Sequence, residues 1–289
     1  CSAVTTGSIT SLMLPRRSAY RTVRSTGRMV SVNQRAMQLF FSLLALIALG
    51  GAVSLAAPSL VAGSLPRAAP AADMLAMRDR AGAAWPADVG LRALQTCFVA
   101  PVSPGEVDIT ATVLRQGRNV CQVQAQVRQL GQVAAVLLGV FGVERPSALR
   151  PRLPQRPEPQ HEAEALPVPP PRPHGAPAFL EHFDMRWAEG AVPFSGGNGH
   201  TSCIHMRLNP DEAASVSTEL QAVLLGDLSP TPVIGQLTRP SANSSVTWAL
   251  ELRPVPSGPP DGWWRADNES TMVDGGYVNH TSRLWAPAG

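Results

Sequence analysis

The chain has 289 residues, 24 basic against 21 acidic, with a formal charge of +3 and 44% hydrophobic content. That allows one large domain or two ordinary ones with a real core, and 28 prolines call for at least one unstructured connector. Every basic residue is arginine and none is lysine, a compositional bias rather than a basic stripe, so no nucleic-acid partner follows from the charge.

Residues 1–37 contain no Asp or Glu and include "RRSAYRTVRSTGR", the composition of a disordered or organelle-targeting segment. Residues 38–65 form an apolar segment, uncharged over 38–63 and long enough to span a bilayer, although Gly50-Gly51 and Pro58 interrupt it. It reads as a membrane-associating helix, a signal-peptide core or a buried helix, and the location as organelle-targeted, membrane-associated or otherwise cytoplasmic. Cys1, Cys97, Cys121 and Cys203 lack paired spacing and suggest thiols of a reducing compartment. The sequence opens without methionine and stops abruptly, as a fragment would.

Residues 66–144 form the first expected unit. Within it, "LRALQTCFVAP", "GEVDITATVLRQGRN", "VCQVQAQVRQLG" and "QVAAVLLGVFG" are partly alternating, β-branched segments divided by turn residues, which predicts an antiparallel meander. Residues 145–177 are proline-rich and predict an extended linker or strap. Residues 178–289 form the second unit, with strands at "FLEHFDMRW" and "HTSCIHMRL". A helix starting on Asn209-Pro210-Asp211-Glu212 follows, then strands at "SSVTWALEL", "GWWRADNESTMV" and "GGYVNHTSRLWA".

The two units share a plan. In each, a strand ends near a proline (Pro101, Pro254), a Pro/Gly loop leads to a second strand, and a glycine turn (Gly117; Gly275-Gly276) leads to a third. The first unit continues into a fourth strand after Gly131, whereas the second stops at Gly289, where its fourth should begin. The expectation is an α+β duplication with the last strand of the second copy missing.

One constellation in the second unit carries chemistry. Val216, Leu220, Val223 and Asp227 recur at helical spacing, placing a carboxylate on the apolar stripe at the helix C-terminus, where the macrodipole disfavours it. Ser244 shares parity with Val246, Trp248, Leu250 and Leu252. If that face packs on the helix, Asp227 and Ser244 meet inside and can polarise a water, with the carboxylate as base. The competing reading is a solvated helix-end Asp and a serine that merely begins a strand.

Other motifs are weaker. His200, Cys203 and His205 do not share a strand face, so no metal site is expected. "FSGGNGH" lacks the Lys-Ser/Thr of a phosphate loop. Asn243, Asn268 and Asn279 fit the glycosylation pattern, by coincidence in a Ser/Thr-rich chain. No cofactor is called for.

From about Leu91 to Gly289 these stretches, with "FLEHFDMRWAEGAVPFSG", "AVLLGDLSPTP", "SSVTWALELRP" and "GGYVNHTSRLW", resemble the type II acyl-CoA thioesterases, the double hot-dog family. The resemblance implies two antiparallel sheets, each wrapped on a central helix and joined into one continuous sheet. It also implies hydrolysis of acyl-CoA to fatty acid and CoA without a covalent intermediate. The family's aspartate falls on Asp227, and its Thr/Ser, ten residues before the Arg-Pro proline, falls on Ser244. Its third member, a glutamine on the last strand, lies past Gly289, which leaves the chain's activity open. The position ten before Pro101 is Leu91, so the first unit is expected to be non-catalytic. Pro66 and Pro70 sit where the first central helix belongs, so that unit is expected to be irregular. The alternative is a non-catalytic acyl-CoA or acyl-carrier binding module, a degenerate hot-dog paralogue. Resemblance also suggests a homodimer through the sheets.

Overall fold

The computed structural model describes residues 3–11, 89–102, 107–150, 154–158, 162–169, 178–214, 216–241, 243–254 and 258–287. Residues 12–88 lie outside these, and with them the uncharged run at 38–63 and the expected first central helix. Among the described residues, no helix is long and apolar enough to cross a membrane.

The alternating segments become strands: β1 (Ala3–Ser11), β2 (Gly90–Phe98), β3 (Asp108–Gln116), β4 (Val120–Gln129), β5 (Gln132–Gly142), β6 (Phe183–Glu189), β7 (Thr201–Leu208), β8 (Ser244–Glu251), β9 (Trp264–Asp274) and β10 (Tyr277–Trp285). They form one ten-stranded antiparallel sheet in the order β3-β4-β5-β2-β8-β1-β10-β9-β7-β6. β3, β4 and β5 are the expected meander, and β2 closes onto β5 rather than β3. β9 turns into β10 at Gly275 and Gly276, whose φ of 56° and 82° are the left-handed values that a two-residue hairpin requires. The two units join where β2 pairs with β8, Leu94 opposite Leu250 and Thr96 opposite Trp248.

The vacancy expected in the second unit is filled. In the first unit β5 lies between β4 and β2, antiparallel to both. The corresponding position between β10 and β8 is taken by β1, also antiparallel to both. Ala3–Ser11, inside the segment expected to be disordered or targeting, is thus a central strand of the sheet. The reason is backbone hydrogen bonding: β8 and β10 each present a row of N–H and C=O groups, and "AVTTGSITS", uncharged and rich in β-branched residues, pairs with both rows.

The single helix expected from Pro210 is two. α1 (Pro210–Ala213) stops after one turn, and α2 (Thr218–Leu228) starts afresh with Ser217 as N-cap, its Oγ accepting from the Leu220 N–H at 3.3 Å. Asn209 makes no cap bond; its side chain donates instead to the Glu181 carbonyl at 2.7 Å. "FLEHFDMRW" likewise begins as a 3₁₀ turn, Ala178–His182, before β6.

α2 packs on β1, β7, β8 and β10. Leu220 through Gly226 and Leu228 are all buried, so α2 is enclosed on every side rather than along one stripe. The opposite sheet face carries described parts of the proline-rich segment. Arg265 donates to the Pro157 carbonyl at 3.3 Å and Arg156 to the Ala286 carbonyl at 3.3 Å, while Ala163 and Leu166 are buried.

Candidate active site

Asp227 sits in the last turn of α2 between buried Gly226 and Leu228. The helix is fixed at its other end by Gln221, whose amide donates to the Val216 and Pro260 carbonyls at 3.2 and 3.1 Å and accepts from the Trp264 indole at 3.3 Å. Glu219, in the first turn, accepts a short hydrogen bond from the Leu91 N–H and so ties α2 to the first unit.

Asp227 as a residue keeps some accessible surface, yet its carboxyl group is surrounded by protein. Protonation follows the second fact. Loss of hydration pushes the carboxyl from 3.8 up to about 8, and among the described residues no cation offsets it. A carboxyl in that range is matched to accepting a proton near neutral pH.

Immediately beyond α2 the chain crosses a buried polar network that the sequence reading missed. Ser229 and Ser282 both donate to Asn268 Oδ1, at 2.8 and 2.5 Å, and Asn268 Nδ2 donates to Ser202 at 3.1 Å. Thr231 and Ser270 share a bond of 3.1 Å. His280 lies on the same face of β10 as Val278, Ser282 and Leu284, and burial pushes its imidazole down to about 4, so it is neutral at pH 7. The signal was present: Asn268, Ser270, His280 and Ser282 stand at core parity on strands whose other inward residues are apolar. Asn268 is 3% exposed, which removes it as a glycosylation acceptor. Asn268→Ala is expected to lower stability by about 1–3 kcal/mol, because three hydroxyls lose their partner. The urea midpoint measures it, and an unchanged midpoint would show that the network contributes nothing.

Ser244 opens β8, and its hydroxyl donates to the Ser245 carbonyl at 3.2 Å. α2 and β8 are in contact, but no direct hydrogen bond joins Asp227 to Ser244 among the described residues. The ladder also qualifies the parity argument. Ser244 and Ser245 face Ser11 and Thr10, whereas Thr247 and Trp248 face Ile9 and Ser8, so β8 carries one extra residue, Val246. Alternation does not run unbroken from Trp248 back to Ser244.

Cys203 and His205 are both buried on β7, while His200 precedes the strand. Burial pushes the Cys203 thiol up to about 12, with Asp267 beside it, so it stays protonated and is no nucleophile. Asp267 is itself held by Arg265 at 2.8 Å and the Trp285 indole at 2.7 Å.

The acyl-CoA thioesterase N-terminal domain model matches residues 59–142, and the acyl-CoA thioesterase C-terminal domain model matches residues 154–289. The chain belongs to the acyl-CoA thioesterase family. Thioester hydrolysis in general is therefore the chemistry its fold supports. No curated protein shows significant similarity to this thioesterase-family chain. Among solved structures, a conserved protein of unknown function with a hot-dog fold from Alicyclobacillus acidocaldarius is 20% identical, with a TM-score of 0.51 over 75% of this chain and 86% of its own. A putative thioesterase II from Thermobifida fusca is 17% identical, with a TM-score of 0.51 over 79% of this chain and 89% of its own. These likenesses bear on the fold alone, and with the hot-dog fold of the first neighbour they agree with the expected double hot-dog.

Proposed function

We propose that the second unit hydrolyses acyl-CoA thioesters to free fatty acid and CoA, with Asp227 as the general base. Its carboxylate takes a proton from a water as the water oxygen bonds to the thioester carbonyl carbon. The C–S bond then breaks, and the departing CoA sulfur receives that proton from the Asp227 carboxyl. A hydroxyl at the start of β8, Ser244 on the sequence reading, orients the water. The observation that carries this is the raised carboxyl at the end of an enclosed helix: a base that desolvation has strengthened, in a family whose chemistry is thioester hydrolysis. Leu91 offers no hydroxyl in the first unit, which is read as non-catalytic.

A second reading, a non-catalytic acyl-CoA or acyl-carrier binding module, is favoured by one observation. β1 occupies the slot where resemblance implies a glutamine, and Ala3–Ser11 contains none.

The test follows thiol release from acyl-CoAs of several chain lengths between pH 5 and 9.5. Because the carboxyl must be ionised to act, kcat/KM is expected to climb with pH and level off above about 8. Binding without thiol release at any chain length would favour the module, and an acid limb near pH 4 would remove Asp227 as the base.

A further inference from the structure

We propose that Ser245, and not Ser244, presents the hydroxyl that orients the water for Asp227; this rests on the thioesterase reading above. Two strand ladders carry it. Across β1 and β8, Ser245 faces Thr10 and Trp248 faces Ser8, two positions apart on the same side of β1. The extra residue Val246 therefore puts Ser245 in phase with Trp248 and Leu250. Those two belong to the buried cluster that holds Val223, Leu224 and Leu228 of α2, so Ser245 is in phase with the face turned toward that helix. Ser244, facing Ser11, falls in phase with Thr247, Ala249 and Glu251, none of them fully buried.

The first unit contains the same irregularity. Leu91 faces Phe141 and Ala93 faces Val140, which leaves Arg92 as the extra residue of β2. On either side of it, Leu91 and Leu94, three positions apart, are 4% and 1% exposed, both on the inner face. Ser245 and Trp248 stand in the same three-residue relation around Val246. Matching Arg92 with Val246 aligns Leu91 with Ser245. Counting back from Pro101 and Pro254 aligns it with Ser244 instead, because the second unit reaches its proline one residue sooner after the bulge. Ser244 then has a backbone task, its hydroxyl bonding the carbonyl of the next residue beside the irregularity.

Steady-state kinetics on Ser245→Ala, Ser245→Thr and Ser244→Ala separate the two. Loss of a water-orienting hydroxyl is expected to lower kcat about a hundredfold with KM little changed, and Ser245→Thr to restore most of it. Ser244→Ala is expected to lower kcat by much less than Ser245→Ala does. The reverse ranking, or equal losses at both positions, overturns the proposal. If the parent chain turns over no acyl-CoA, the thioesterase reading fails by that measurement alone. The proposal is then decided by a crystal structure of the full chain. Ser245 Oγ on the side of Asp227 upholds the placement, and Ser245 Oγ on the strap side overturns it.

Discussion

Asp227→Asn is expected to abolish thiol release, with kcat/KM falling about 10²–10⁴-fold, while leaving the protein more stable than the parent at high pH. The amide keeps the size and neutrality of the protonated carboxyl but cannot accept the proton of an attacking water. The stability arm follows from linkage. A carboxyl raised from 3.8 to about 8 on folding binds its proton more tightly in the folded chain. Stability is therefore lost as pH rises from about 4 through about 8, and is fully present below that window. Asparagine has no proton to lose, so variant and parent should melt together near pH 4 and diverge, variant higher, above pH 8. Calorimetry at those two pH values with activity assays checks both arms. Full activity in the variant removes the base assignment. An inactive variant that melts lower than the parent at every pH points to misfolding instead.

Deleting residues 3–11 is expected to be the most damaging change to the fold. β1 is paired along both edges, from Ala3 opposite Trp285 to Ser11 opposite Tyr277 on one side, and from Thr5 opposite Glu251 to Ser11 opposite Ser244 on the other. Without it β8 remains attached to β2, β10 remains attached to β9, and both lose a partner. Exposed edges of that length recruit other chains. Melting is expected to fall by about 10 °C, the shift that about 3–5 kcal/mol produces at this size, with concentration-dependent aggregation. A synthetic peptide of sequence AVTTGSITS should restore part of the loss when added in trans. An unchanged melting curve and a monodisperse deletion variant would show that β1 does not fill this slot.

Much of the sheet was legible because strand patterning is local. "VCQVQAQVRQ" alternates along its own length, and Gly275-Gly276 announces a hairpin wherever it stands. β1 was not, because what makes "AVTTGSITS" a strand is the pair of edges it meets, and both come from the far end of the chain. α2 was read with the wrong start: Asn209-Pro210 does open a helix, but Ser217 captures the Leu220 N–H and begins another. At the candidate site, Asp227 was legible as a charge out of place at a helix end. The bulge at Val246 left no mark, since one extra residue in a strand changes phase without changing composition.

The pairing of residue 3 with residue 285 also sets the order of events during synthesis. Residues 3–11 are made long before residues 244–285 and must wait for them before they have a place to lie. The second unit's part of the sheet cannot finish before β10 has been made, and closing so long a loop makes for slow folding. Until β1 docks, the edges of β8 and β10 are open to pairing with other strands, so the chain without β1 in place is the form most exposed to edge-to-edge association.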